Sequence, residues 1–80
     1  MASVSHHTTL GDGSFISPGA TVGSRILLEK NVFIGMGAVV MSGVKVVGEN
    51  TVVGAGSLVI RDVGRNKVVY GSPAKEKKSI

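Results

Sequence analysis

An aliphatic residue returns at every sixth position along most of this chain: Val4, Leu10, Ile16, Val22, Leu28, Ile34 and Val40. After one extra residue the series resumes at Val47, Val53 and Val59. A fixed internal period of this kind marks a repeat architecture, in which each unit buries its apolar side only by stacking on its neighbours. The extra residue falls at Lys45-Val46 and predicts an outward bulge or widened corner. The inward ladder Val4, Val22, Val40, Val59 should continue through it, since a one-residue slip would invert every side chain beyond.

Three other columns of the hexad carry information. The fifth reads Thr8, Ser14, Ala20, Ile26, Val32, Ala38, Val44, Thr51, Ser57 and Val63, all small or β-branched, and the second is Gly11, Gly23, Gly35, Gly48 and Gly54 in half of the hexads. The fourth reads His7, Gly13, Gly19, Arg25, Asn31, Gly37, Gly43, Asn50, Gly56 and Asp62. Gly, Asn, Asp and His best tolerate positive φ, so each hexad should end a short strand with a left-handed turn residue; only Arg25 resists. Three hexads then make one triangular coil, and strands stacked at about 4.8 Å give a prism about 15 Å tall. The predicted fold is all-β, a parallel β-helix of about three coils over residues 4–63. Residues 64–75 should add one strand and a turn, and residues 76–80 a mobile tail.

Eighty residues without a cysteine allow one domain and no disulfide or thiolate staple, so extra stability must come from association. Alternation along each strand sends the sixth position outward. The outward columns are Phe15, Phe33, Val52; Thr21, Val39, Leu58; and Thr9, Leu27, Lys45. Two of these three faces are apolar, which predicts a homotrimer. The sequence has no apolar run long enough for a membrane helix and no signal-peptide pattern at its start, which predicts a cytoplasmic protein. The charge of +4 comes largely from Lys75, Lys77 and Lys78 against Glu76. That group is read as a solvated tail, with binding of an anionic phosphate as the alternative. Nucleic-acid binding is not expected, because neither a basic face nor interleaved aromatics occur.

Groups able to act as a base near neutral pH are few. His6 and His7 are the only histidines and share a corner of the first hexad, with Ser24 and Ser42 in the column of His6. A corner imidazole can take the proton of an amine or hydroxyl attacking a thioester. It can equally be a solvated loop residue. Asp62 sits roughly 14 Å from His7, across two coils, and is not expected to orient it. Adjacent histidines project apart and no third ligand lies near, so no metal site is expected.

The run Val4-Ser5-His6-His7-Thr8-Thr9-Leu10-Gly11-Asp12-Gly13, followed by Phe15-Ile16-Ser17-Pro18-Gly19-Ala20, resembles a stretch of the hexapeptide-repeat acetyltransferases. The branch it is most similar to modifies sialic acids or nucleotide-linked amino sugars. Ile34-Gly35-Met36-Gly37-Ala38-Val39-Val40, Val53-Gly54-Ala55-Gly56-Ser57-Leu58-Val59 and Val69-Tyr70-Gly71-Ser72-Pro73-Ala74-Lys75 extend the likeness over residues 4–75.

The resemblance implies a left-handed β-helix and acetyl-CoA as co-substrate. It implies His6 as the general base, and a small acceptor of the sugar class. In the family a second histidine commonly follows the base by nine residues and helps position the acetyl group; Phe15 stands there. The pantetheine arm should lie in the groove between adjacent prisms. Phe15, Ser24, Met36, Gly37, Ala55 and Gly56 are expected along that groove, with Pro73 and Lys75 near the nucleotide end. Members of the branch carry an α/β domain and further coils before the hexad that bears the base, which predicts a shortened member. The alternative is a trimeric scaffold or CoA-binding remnant without catalysis.

Overall fold

The computed structural model describes residues 2–79. Ten two-residue strands mark the hexad junctions: β1 (Ser3–Val4), β2 (Thr9–Leu10), β3 (Phe15–Ile16), β4 (Thr21–Val22), β5 (Leu27–Leu28), β6 (Phe33–Ile34), β7 (Val39–Val40), β8 (Val46–Val47), β9 (Val52–Val53) and β10 (Leu58–Val59). Two longer strands follow, β11 (Lys67–Gly71) and β12 (Ala74–Ser79). The short strands stack in parallel into three walls. Wall A runs β1-β4-β7-β10, wall B runs β2-β5-β8, and wall C runs β3-β6-β9-β11 with β12 at its end.

Strands are short because the fourth hexad position turns the chain. His7, Asn31 and Asn50 have φ of 63°, 57° and 62°, and Gly13, Gly19, Gly37, Gly43 and Gly56 are also positive. Arg25 was expected to resist this conformation, yet it adopts it at φ 61°. Its side chain is exposed, so only the backbone cost of about 1–2 kcal/mol opposes the turn, and the stacked coils on either side impose it. Asp62 departs the other way. It lies outside the positive-φ set, which instead takes in Asn66 at 58°. Replacing Arg25 by Gly is therefore expected to stabilise the fold by about 0.5–1 kcal/mol. A urea midpoint that falls in Arg25→Gly would contradict this.

Inside the prism the first-position residues form the core. Val22, Leu28, Ile34, Val40, Val47 and Val53 are fully buried, each about 1.5–3 kcal/mol better inside than in water. The fifth position fills the corners, and its hydroxyls serve the adjoining coil. Thr8 Oγ1 donates to the Gly23 carbonyl at 2.6 Å and accepts from the Ile26 N–H at 3.3 Å. Ser14 makes the same pair of bonds to Glu29 and Val32. Thr51, with no exposed surface, donates to the Gly64 carbonyl. Among the described residues no buried side-chain polar atom lacks a partner.

The one-residue slip is a bulge, and the inward ladder is unbroken: Val22 pairs with Val4 and with Val40, and Val40 with Val59. The inserted residue is Lys45. Leu27 pairs with Val46, so the outward column of wall B is Thr9, Leu27, Val46 and not Thr9, Leu27, Lys45 as the hexad count placed it. The Lys45 carbonyl accepts from the Leu27 N–H at 2.9 Å, the bond that the Ile26 carbonyl makes to Thr9 one coil earlier. Its own N–H donates to Asp62 Oδ1 at 2.6 Å, which is how the bulge is held.

The two ends differ. At the first coil the inward residues Val4 and Leu10 are 40% and 49% exposed, because no strand lies beneath them in the structure. At the other end β11 stacks on β9 and β12 returns antiparallel along β11. The expected single strand and turn over residues 64–75 is thus the first part of a hairpin. Residues 76–79, expected to be a mobile tail, belong to β12, whose backbone satisfies the otherwise open edge of β11. Ile80 lies outside the described residues.

Candidate functional site

The three corners of each coil stack into three edges of contrasting chemistry. The first edge joins walls A and B and carries His6, His7, Ser24, Arg25, Ser42 and Asp62. The second joins walls B and C. It is charged at Asp12, Glu29, Lys30, Glu49 and Arg65, and its turn residues Asn50 and Asn66 are linked side chain to side chain at 3.0 Å. The third edge joins walls C and A. It reads Ser17 to Ala20, Gly35 to Ala38 and Gly54 to Ser57, without a single charged residue.

His6 and His7 are both exposed at the first edge, with ring centroids 5.0 Å apart and planes at 86°. The two rings pack edge to face. Behind them the column continues to Ser24, whose N–H donates to Ser42 Oγ at 3.1 Å. Asp62 is held at the bulge and not beside His7.

The third edge collects Met36, Gly37, Ala55 and Gly56. The Gly56 N–H donates to the Met36 carbonyl at 2.8 Å, and the Gly37 N–H to the Pro18 carbonyl at 3.4 Å, so successive corners lie directly over one another. Beside Gly37 and Gly56 the space that a side chain would take is open, and Met36 is 63% exposed. This is an uncharged strip of backbone and small residues from which the Met36 side chain projects. Phe15 lies on the outside of wall C, stacked on Phe33 with centroids 5.7 Å apart. Pro73 and Lys75 sit at the far end of the third edge, where β11 turns into β12.

The expected site residues therefore fall into separate groups within one prism. His6 and Ser24 share the first edge; Met36, Gly37, Ala55 and Gly56 share the third; wall A lies between them.

A feature that the hexad pattern did not reveal lies at the hairpin end. A cavity of 330 Å³ lies between the top of the core and β12, with Val59, Ile60, Val63, Val69, Pro73 and Ala74 as its apolar lining. Arg61, Asp62, Lys75 and Glu76 also border it. It arises from the return of β12, a contact between distant parts of the chain that no periodicity announces.

No protein-family model matches the chain. The galactoside O-acetyltransferase of Lactococcus lactis is 42% identical over 62 residues, covering 78% of this chain and 30% of that protein. The 2,3,4,5-tetrahydropyridine-2,6-dicarboxylate N-acetyltransferase of Clostridium perfringens is 48% identical over 54 residues, 68% of this chain and 22% of that protein. Among solved structures, a galactoside acetyltransferase in complex with coenzyme A superposes with a TM-score of 0.85 at 26% identity, covering 98% of this chain and 48% of that one. This chain is a relative of the hexapeptide-repeat acetyltransferases. Its β-helix has the left hand of those structures. The two curated relatives are thus an O-acetyltransferase and an N-acetyltransferase. The chain spans less than a third of the two curated relatives named, at 30% and 22% of their lengths.

Proposed function

We propose that this β-helix transfers the acetyl group of acetyl-CoA to a hydroxyl or amine of a small acceptor of the sugar class, at the junction of two prisms in a homotrimer. The observation that carries this reading is the placement of the first and third edges on either side of wall A. When wall A of each of three prisms is turned toward a common axis, the His6 edge of one prism adjoins the glycine edge of the next. The outward residues Val39 and Leu58 of wall A are only half-buried in the single chain and gain cover in that arrangement. Phe15 then stands on the wall of the groove beside the junction.

The chemistry follows from those positions. The pantetheine arm lies along Met36, Gly37, Ala55 and Gly56, with Ser24 on the opposing edge. Pro73 and Lys75 receive the nucleotide end, where the Lys75 ammonium meets phosphate. The acceptor oxygen or nitrogen attacks the thioester carbonyl while an imidazole nitrogen of His6 takes its proton. The tetrahedral intermediate expels the CoA sulfur, and the His6 imidazolium returns the proton to it. Free CoA and the acetylated acceptor result. The similar galactoside acetyltransferase in complex with coenzyme A and the uncharged third edge both support this assignment.

Light scattering, calorimetry and thiol release test it together. The expected mass is three times the 8.2 kDa chain, with acetyl-CoA bound and thiol released in the presence of amino-sugar acceptors. Val39→Lys places an unpaired charge at the junction, a change that costs about 3–5 kcal/mol when the charge is buried. It is expected to yield monomers that no longer bind acetyl-CoA. A native chain that is monomeric at micromolar concentration, or a monomeric Val39→Lys that binds acetyl-CoA as well as the parent, would overturn the proposal. Phe15 in place of a second histidine favours one alternative, a CoA-binding trimer without turnover; binding without thiol release on any acceptor would establish it.

A further inference from the structure

Arg25 is the turn residue whose side chain its corner does not need. Among the described residues the other left-handed positions hold Gly, Asn or His, which bear that backbone more readily than arginine. Glycine would serve the fold better, so the chain gives up stability to keep a guanidinium here. An outlier held in place against its own preference points to work done by the side chain.

The surroundings narrow what that work is. The register of β1 with β4 and of β2 with β5 sets Arg25 one coil above His7, about 4.8 Å along the axis. It stands next to the column of His6 and Ser24, with its side chain exposed. The ion pair found among the described residues joins Lys67 to Glu76 and leaves Arg25 out. At the other two edges a turn N–H donates to the corner carbonyl one coil below, as Asn31 does to Asp12 at 3.0 Å and Gly56 to Met36 at 2.8 Å. The Arg25 N–H makes no such bond to His6, so a second donor stands unclaimed at the root of the side chain.

No carboxylate answers this corner. The one acid of the first edge, Asp62, lies two coils further along and accepts the Lys45 N–H. In the proposed trimer the first edge meets the third edge of the next prism, which has no charged residue. The wall C that flanks that third edge presents Phe15, Phe33 and Val52. Neither side of the junction offers the guanidinium a counter-ion.

We infer that Arg25 binds an oxyanion carried by the acceptor, a carboxylate or a phosphate, and so selects acidic sugars over neutral ones. This role rests on the proposed acetyl transfer at His6. Arg25 stands on the wall B side of His6, where the groove opens, whereas the thioester arm is placed on the facing glycine strip. The planar fork donates two parallel bonds to either anion, a geometry that an ammonium cannot supply.

Thiol release with glucosamine, glucosamine 6-phosphate and glucosaminuronic acid tests the role in the parent, Arg25→Gly and Arg25→Lys. The parent should favour an acidic acceptor over glucosamine about ten-fold or more in kcat/KM, through KM, and the better of the two identifies the anion. Arg25→Gly should abolish that preference while raising the urea midpoint, which separates a lost contact from a damaged fold. Arg25→Lys should recover only part of it. Amide shifts of the ¹⁵N-labelled chain, titrated with the same sugars in the presence of CoA, keep the two readings apart. Shifts at His7, Ser24 and Arg25 from an acidic sugar alone, lost in Arg25→Gly and without thiol release, would retain the Arg25 site and remove the transfer. With thiol released, equal kcat/KM for the three acceptors or a preference that survives in Arg25→Gly would overturn the role of Arg25 and leave the transfer standing. Without thiol release, equal shifts from all three sugars would overturn both.

Discussion

His6→Ala is expected to slow acetyl transfer by about 10²- to 10⁴-fold, the contribution of a positioned general base. Acetyl-CoA affinity should hardly change, because the thioester arm is proposed to rest on the third edge and His6 stands on the first. His7→Ala is the internal control. Its residue is the left-handed turn at φ 63°, and its ring stands edge-on to that of His6. A small effect on rate is expected there. Thiol-release kinetics at saturating acetyl-CoA, with binding measured separately, distinguishes the two variants. Equal rates for His6→Ala and the parent would remove His6 from the mechanism.

The second large effect concerns stability. Gly48→Ala is expected to destabilise the β-helix by about 3 kcal/mol, at the upper end of ordinary overpacking. A Cβ there would meet the backbone N of Arg65 and C of Gly64 at 2.5 Å. Neither atom can retreat without parting two stacked coils. Gly37→Ala makes the comparison, since its Cβ would meet nothing within 4 Å and only the φ of +69° opposes it. About 1 kcal/mol is expected for that change. Stability for a chain this long is on the order of 4–12 kcal/mol, so urea melts separate the two variants easily. A Gly48→Ala midpoint equal to that of Gly37→Ala would show that the close approach is not what demands glycine.

Those two glycines illustrate what the hexad made legible. The inward ladder, the corner residues and the outward column of Phe15, Phe33 and Val52 follow from steric rules that repeat in every coil, so one period describes them all. The second-position glycines were visible as a column, but their cause is the passage of the adjoining coil, which spacing does not reveal. Arg25 shows the limit of local preference: its neighbours in the stack hold it left-handed against its own propensity. The bulge was located to within a residue. Which residue was inserted depended on the bond from Lys45 to Asp62, a pairing across coils. The return of β12 was missed for the same reason, since Lys75 to Lys78 read as a charged tail until paired with β11. For the candidate site, residue types and a family likeness suggested the members. Their division between two edges, and hence the need for a second prism, came from the stacking of corners.

The stacking of coils has a consequence for binding. In a stacked array each coil is stabilised mainly by contact with its neighbours, so a coil with others on both sides is the slowest to open. Leu28, Ile34 and Val40 are fully buried in such a coil, with strands paired above and below them. Met36 and Gly37 stand on the turn between Ile34 and Val40, so this part of the glycine strip is already ordered before anything lies along it. A surface that gives up little freedom when it is occupied keeps most of the energy of its contacts for holding what binds there.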